Sequence, residues 1–127
     1  MVCGTPVGRS ISSLDLQSRL MAGDDLIVVD VRNPGEWLSG AILGSIGLPM
    51  VQIEQSLKQA GAPALPKDRD IVLVCQSGMR SSAVIKSLVT AGYDAGRLYN
   101  LELGMAAWRG ELHPIASNNP LFHAVGN

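Results

Sequence analysis

One cysteine stands where the sequence pattern could make a thiol reactive. Cys75 ends an apolar run, residues 71–74, and opens a short loop that contains Gly78 and Arg80. A helix is predicted from Ser81 onward, so the loop can turn backbone N–H groups inward and form an anion-binding nest at the helix N-terminus. Such a nest, with the charge of Arg80 beside it, lowers a thiol pKa and favours the nucleophilic thiolate. The alternative is a buried, inert thiol that closes a strand.

The remaining cysteine and the histidines carry weaker signals. Cys3 lies in residues 1–10, which are predicted to be a flexible N-terminal segment with nothing fixed to activate a thiol. Two cysteines are too few for the disulfide framework of a small secreted protein, so both are expected to be free. His113 and His123 are ten residues apart in a predicted irregular tail, residues 113–127, and lack acidic or cysteine neighbours. We expect solvated side chains there and no metal site.

Strands that alternate with helices must position Cys75. The predicted strands are mostly apolar, which is typical of a parallel sheet covered by helices on both faces. In such a sheet ligands bind beyond the carboxyl ends of the strands, where Cys75 and Asp30 are both expected. The strands are predicted at 26–31, 45–48, 71–74 and 98–101, and the helices at 11–21, 51–60, 81–91 and 105–108, with a helical turn at 36–39.

Length and composition exclude several classes of protein. A chain of 127 residues suits one domain, and its 46% of hydrophobic residues with 4% aromatic predicts an aliphatic core. Ten basic residues balance eleven acidic ones, without a basic cluster, so nucleic acid is not an expected ligand. No apolar run approaches the roughly 20 residues that span a bilayer, and residues 1–10 lack a secretory signal. A cytoplasmic protein without membrane contact is expected.

Three segments together resemble the single-domain rhodanese family. Residues 75–81, Cys-Gln-Ser-Gly-Met-Arg-Ser, are similar to its catalytic loop, Cys-x-x-Gly-x-Arg. Residues 30–37, Asp-Val-Arg-Asn-Pro-Gly-Glu-Trp, resemble its first signature, and residues 92–108 resemble its C-terminal signature. The resemblance covers about residues 11–112, which are predicted to form the domain.

The resemblance implies a rhodanese-like α/β fold and a sulfurtransferase that needs no cofactor or metal. Cys75 would take sulfur from a donor such as thiosulfate and become a persulfide, from which a thiol, cyanide or a protein sulfur carrier removes it. Arg80 would attract anionic donors. Backbone N–H groups of the loop would hold the terminal sulfur, and three residues of the first signature would brace the loops by ion pairs and hydrogen bonds. The loop residues are Gln76, Ser77, Gly78, Met79 and Arg80, and the bracing residues are Asp30, Arg32 and Glu36.

Three positions depart from the family pattern. Ala41 and Leu43 replace a histidine and a proline, and Leu103 stands where a second glycine is usual. They leave the thiol, the nest and Arg80 in place, so we expect them to alter rate or substrate preference more than reaction type.

Two rival functions remain to be weighed. Cysteine-dependent phosphatases and arsenate reductases place one residue more between cysteine and arginine than the four that separate Cys75 from Arg80. The smaller cradle favours a single sulfur atom over a tetrahedral oxyanion. The other rival is a rhodanese-like interaction or regulatory module without substantial turnover; such modules often lack the cysteine, which this chain keeps.

Overall fold

A computed structural model describes residues 7–59, 65–110 and 112–113 of the chain. Its centre is a five-stranded, all-parallel sheet in the order β1-β6-β5-β2-β4, and β3 and β7 form a separate antiparallel pair. The strands are β1 (Arg9–Ile11), β2 (Leu26–Asp30), β3 (Ala41–Ile42), β4 (Ile46–Gly47), β5 (Asp70–Val74), β6 (Leu98–Leu101) and β7 (Leu112–His113). The helices are α1 (Ser13–Met21), α2 (Pro34–Trp37), α3 (Met50–Gln59) and α4 (Met79–Thr90), with 3₁₀ turns η1 (Ala95–Arg97) and η2 (Gly104–Ala107).

Side-chain alternation along the central strands divides the core into two layers. In β5 the side chains of Ile71 and Leu73 belong to one buried cluster, whereas Val72 and Val74 belong to the other. This alternation follows from the two-residue period of a strand. Cys75 continues the first set, so its side chain lies on the same face of the sheet as Ile71 and Leu73.

Helices cover both faces of the sheet, as the sequence predicts. On the Cys75 face, Ile53 of α3 and Val84 and Leu88 of α4 are fully buried against the strands. On the opposite face, Leu16 of α1 is fully buried, and Trp108 packs against the same cluster. Burial of each such aliphatic side chain contributes about 1.5–3 kcal/mol to the free energy of unfolding, so these contacts fix the helices on the sheet.

The register of the sheet brings the ends of three strands to one edge. Asp30 of β2 pairs with Val74 of β5, and Leu73 pairs with Asn100 of β6. The strands end nearly level, and the backbone N–H of Val31 donates to the carbonyl of Val74 at 2.9 Å. The segments that follow β2, β5 and β6 therefore meet at the carboxyl edge of the sheet.

Several boundaries differ from the sequence predictions. The helix predicted from Ser81 begins at Met79, and the short helix predicted at 105–108 is the 3₁₀ turn Gly104–Ala107. The predicted strand 45–48 is reduced to Ile46–Gly47, and β1, β3 and β7 were not predicted. The first two residues of β1 fall in the predicted flexible segment, and the last residue of β7 falls in the predicted tail.

No helix within the described ranges is long and apolar enough to cross a membrane. The cytoplasmic location stays a prediction.

Candidate active site

Cys75 follows β5 directly and lies at the carboxyl edge of the sheet. The residue is buried, with 1% of its surface exposed. Residues 76–78 then turn the chain into α4, and Gly78 precedes the helix with φ +100°. Only glycine adopts this left-handed conformation without strain, so the glycine of the loop allows the sharp turn that places the thiol beside the first turn of α4.

Hydrogen bonds surround the thiol sulfur. The backbone N–H of Gly78 donates to Cys75 Sγ at 3.0 Å, and the hydroxyl of Ser81 lies 3.4 Å from the same sulfur. Burial by itself raises the pKa of the Cys75 thiol, but hydrogen bonds from the Ser81 hydroxyl and from the backbone of Ser81, Ser77 and Gly78 outweigh it and hold this pKa below its ordinary value. The surroundings therefore favour the thiolate.

A second layer of polar contacts fixes Ser81. Its side chain is completely buried, and its hydroxyl donates to Asn100 Oδ1 at 2.6 Å. Asn100 in turn donates through Nδ2 to the carbonyl of Gly78 at 3.0 Å. Asn100 therefore links the end of β6 to both the loop and α4.

Arg80 is paired with an acidic side chain across the mouth of the loop. Its two terminal nitrogens donate to the two carboxylate oxygens of Glu36, at 2.7 and 2.9 Å. The hydrogen bonds from Arg80 lower the pKa of Glu36 from 4.5 to about 2. Partial burial opposes this shift, and a hydrogen bond from the Asn33 backbone N–H adds to it. Arg80 keeps the expected positive charge, because its hydrogen bonds to Glu36 raise the Arg80 pKa, but the carboxylate, 44 residues away in sequence, offsets part of the attraction that this charge exerts on an anion.

Asp30 and Arg32 form a buried ion pair next to the loop. Arg32 Nε and Nη2 donate to the Asp30 carboxylate at 2.9 and 2.8 Å, and both residues are almost fully buried. Arg32 Nη2 also donates to the carbonyl of Gly40 at 2.9 Å. The pair therefore ties the end of β2 to the segment that leads into β3.

The turn η2 packs directly on the start of the cysteine loop. The backbone N–H of Met105 donates to the carbonyl of Cys75 at 2.8 Å, and the backbone N–H of Ala106 donates to the carbonyl of Gln76 at 3.0 Å. A Cβ at Gly104 would overlap the carbonyl oxygen of Cys75, so this close approach requires glycine. Leu103, just before it, has φ +61° although it is not glycine, and its side chain is exposed.

Most of the predicted site residues meet at this edge, in two groups. The backbone N–H groups of Ser77 and Gly78 lie around the Cys75 sulfur, whereas the side chains of Gln76 and Met79 are exposed. The charged residues form the two flanking ion pairs, Asp30 with Arg32 and Glu36 with Arg80.

Ser81 and Asn100 are contacts of the site that were not predicted as such. In the sequence Ser81 is only the last residue of the loop pattern. Asn100 is a polar residue near the end of a predicted apolar strand, and its place at the same sheet edge as Cys75 was the available signal.

The positions that depart from the family pattern lie in different surroundings. Ala41 is fully buried and belongs to β3, whereas Leu43 is about half exposed. Leu103 borders an open cavity of about 480 Å³ together with Gly78, Met79 and Asn100. Leu103 thus lines the same cavity as residues of the loop.

The metal prediction is tested only in part. Among the described residues, no group of three or more His, Cys, Asp or Glu side chains could hold a metal ion. The predictions for Cys3 and His123 lie outside these residues, as does the side chain of His113.

The fold and the site define a class of protein. It is an α/β protein with a parallel sheet that presents a buried cysteine at the N-terminus of a helix, in surroundings that favour the thiolate. The chain belongs to the rhodanese-like domain family, whose profile matches residues 13–111.

Related proteins agree with this membership. A protein of Allochromatium vinosum named "Sulfurtransferase" is 37% identical over 109 residues, which cover 86% of this chain and 95% of that protein. The crystal structure of a rhodanese-like domain protein from Staphylococcus aureus has a TM-score of 0.71 and 30% identity, and covers 85% of this chain and 99% of that one. A rhodanese-related protein from Thermoplasma volcanium has a TM-score of 0.69 and 27% identity, with coverage of 84% and 99%. The chain is therefore a rhodanese-family protein similar to sulfurtransferases.

Proposed function

We propose that the protein transfers sulfane sulfur from thiosulfate to a thiophilic acceptor through a persulfide on Cys75. The observation that carries the proposal is the environment of the buried Cys75 sulfur, which accepts from the Gly78 N–H at 3.0 Å and lies 3.4 Å from the Ser81 hydroxyl, so that the thiol pKa is lowered. A thiolate is the form that attacks sulfur, and an enzyme that works by covalent catalysis needs it near neutral pH.

Both half-reactions balance with the groups at hand. The Cys75 thiolate attacks the outer sulfur of thiosulfate, a new S–S bond forms, and sulfite leaves with the electrons of the bond that breaks. An acceptor nucleophile, cyanide or a thiolate, then attacks the terminal sulfur of the persulfide. The S–S bond to Cys75 breaks, the Cys75 thiolate is restored, and the acceptor leaves as thiocyanate or as a new persulfide. Neither step requires a metal, a cofactor or an external oxidant.

The loop supports this chemistry through its backbone. We expect the N–H groups of residues 76–80 to converge on the terminal sulfur of the persulfide, because the turn at Gly78 already aims its own N–H at Sγ. Arg80 would attract an anionic donor, and the paired carboxylate of Glu36 offsets part of that attraction. Asp30 and Arg32 have the role of holding the neighbouring segment in place.

The alternative of an interaction module without turnover is less well supported. An inert scaffold does not require a buried cysteine whose sulfur accepts from the Gly78 N–H and lies beside the Ser81 hydroxyl. The physiological acceptor in this proposal is a thiol or a protein sulfur carrier.

Mass spectrometry of the intact protein tests the proposal. After incubation with thiosulfate the protein should gain one sulfur atom, which cyanide then removes as thiocyanate. Cys75→Ser should abolish the gain, and Cys3→Ser, as the matched control, should keep most of it. Equal losses in the two variants, or no gain in the native protein, would sink the assignment.

The size of the loop separates this function from phosphoryl transfer. Four residues lie between Cys75 and Arg80, and we expect that cradle to fit one sulfur atom. The native protein should not hydrolyse a generic aryl phosphate. A glycine inserted after Gly78 should reduce sulfur loading steeply and raise affinity for phosphate; unchanged loading in that variant would mean that the size of the loop does not select the reaction.

A further inference from the structure

Four hydrogen bonds close a ring that begins and ends at the Cys75 sulfur. Gly78 donates its N–H to Sγ at 3.0 Å and accepts at its carbonyl from Asn100 Nδ2 at 3.0 Å. Asn100 Oδ1 accepts from the Ser81 hydroxyl at 2.6 Å, and Ser81 Oγ lies 3.4 Å from Sγ. Ser81 is completely buried, so water does not substitute for a missing partner.

The ring holds one proton that can point in two directions. A hydroxyl has a single proton, and an amide oxygen can only accept. While Cys75 is a thiol, its S–H can donate to Ser81 Oγ and the Ser81 proton can donate to Asn100. When Cys75 is a thiolate, the sulfur has no proton to give, and only the Ser81 proton can form the bond between the two side chains.

We propose that Ser81 and Asn100 are positioning residues that share one switchable proton: it turns to Cys75 Sγ whenever that sulfur carries negative charge and returns to Asn100 Oδ1 when the charge is gone. This inference rests on the proposed sulfur transfer for its second half. In the persulfide the charge lies on the terminal sulfur, so the Ser81 proton points to Asn100. When an acceptor takes the terminal sulfur, charge develops on Sγ and the proton turns back.

The two half-reactions respond differently to the loss of this proton. Sulfur loading requires the thiolate, so in a variant without the Ser81 hydroxyl loading should need a higher pH. Once the thiol of that variant is fully ionised, loading should be no slower than in the native protein, because a more basic thiolate is also a better nucleophile. Discharge expels Sγ as a leaving group, and a leaving thiolate of higher pKa departs more slowly. Discharge should therefore slow even at high pH.

Alkylation of Cys75 against pH tests the first half of the inference. In Ser81→Ala the midpoint of the iodoacetamide rate and of the thiolate absorbance should rise by about one pH unit, which is about a tenfold smaller thiolate fraction below the midpoint. The neighbouring, half-buried Ser82 supplies the matched control, and Ser82→Ala should keep the native midpoint. A purely structural defect would lower the plateau rate and leave the midpoint in place, and that result would overturn the proposal.

Asn100 provides an independent variant at a half-buried position if Ser81→Ala does not fold. Asn100→Asp replaces the amide by a carboxylate, which holds the Ser81 proton more strongly and removes the donor to Gly78. The alkylation midpoint should again rise by at least one pH unit, because the carboxylate holds the Ser81 proton through a charged hydrogen bond and also places a negative charge near the thiolate. An unchanged or lowered midpoint would show that Asn100 does not compete for the Ser81 proton.

Single-turnover discharge tests the second half. Protein loaded with sulfur is mixed with cyanide above the midpoints of all the variants, and thiocyanate is followed with time. Ser81→Ala should discharge several-fold more slowly than the native protein, and Ser82→Ala should discharge as fast as the native protein. Equal rates in all three proteins would refute the role of Ser81 in stabilising Sγ as a leaving group. Alkylation needs no sulfur donor, so failure of the native protein to load would overturn the proposed function and leave the midpoint result standing.

Discussion

Replacement of Asp30 by asparagine should destabilise the protein by about 3 kcal/mol. The change removes the negative charge of a buried ion pair and leaves Arg32, which is 3% exposed, without its hydrogen-bonded counter-charge. Loss of one partner of such a pair costs about 3–5 kcal/mol, because the remaining ion stays desolvated. The lower end applies here because asparagine keeps one oxygen that can accept from Arg32, and the carbonyl of Gly40 still accepts from Nη2.

The expected loss is large relative to the stability of a small domain. A free energy of unfolding of roughly 5–15 kcal/mol is typical, so about 3 kcal/mol is a fifth of it or more. In a chain of this length 1 kcal/mol corresponds to roughly 3–4 °C in Tm, so Asp30→Asn should lower Tm by about 10 °C.

Urea unfolding followed by circular dichroism measures the loss, and the chain offers a matched control. Arg69 and Asp25 form an ion pair of 2.7 Å at the surface, with side chains 40% and 78% exposed. Asp25→Asn should cost less than about 1 kcal/mol, because water screens an exposed pair. The double variant Asp30→Leu with Arg32→Met should recover much of the loss, since it removes both buried charges. A loss below about 1 kcal/mol for Asp30→Asn would refute the reasoning from burial.

Two further predictions follow from Glu36 and Leu103. The pKa of Glu36 lies at about 2, below its ordinary 4.5, so the ion pair with Arg80 stabilises the fold fully above about pH 4.5 and the contribution is lost as pH falls through about 2. Because both side chains are about one-third exposed, we expect the ion pair to contribute only about 1 kcal/mol to the free energy of unfolding. If the pair is the source of the pH dependence, Glu36→Gln should make the free energy of unfolding nearly independent of pH between about pH 2 and 4.5. Leu103→Gly should raise Tm by a few degrees, because relief of a left-handed leucine, about 1–2 kcal/mol, exceeds the added chain entropy of glycine. Leu43→Gly is the control at an exposed leucine without positive φ; an equal gain there would exclude backbone strain as the cause.

The sequence predicts the central part of the fold well because its signals are local. The runs 26–29 and 71–74 are apolar throughout, as is typical of strands buried on both faces, and the structure places β2 and β5 there. Short strands carry no such signal. In β1 the side chain of Ile11 is buried whereas those of Arg9 and Ser10 are exposed, so three residues show no period that could distinguish a strand from a loop.

The details of the site depend on pairings that no local pattern encodes. The loop pattern predicts the place of Cys75 and the turn at Gly78. The partner of Arg80 is 44 residues away, and the Ser81 hydroxyl bonds to a residue 19 positions along the chain. Such contacts follow from the order and register of the strands, which the sequence of any one segment does not contain.

The order of the strands also decides when the site can form during synthesis. β1, which precedes the other strands of the described residues, pairs with β6, and Arg9 lies opposite Tyr99. The ribosome adds roughly 5–20 residues per second, so β1 waits several seconds for its partner. The turn η2, which holds the carbonyls of Cys75 and Gln76, is made later still. A nascent chain that ends at α4 therefore carries its thiol without β6 beside β5 and without these bonds, so the contacts around the thiol are completed only after β6 and η2 have been made.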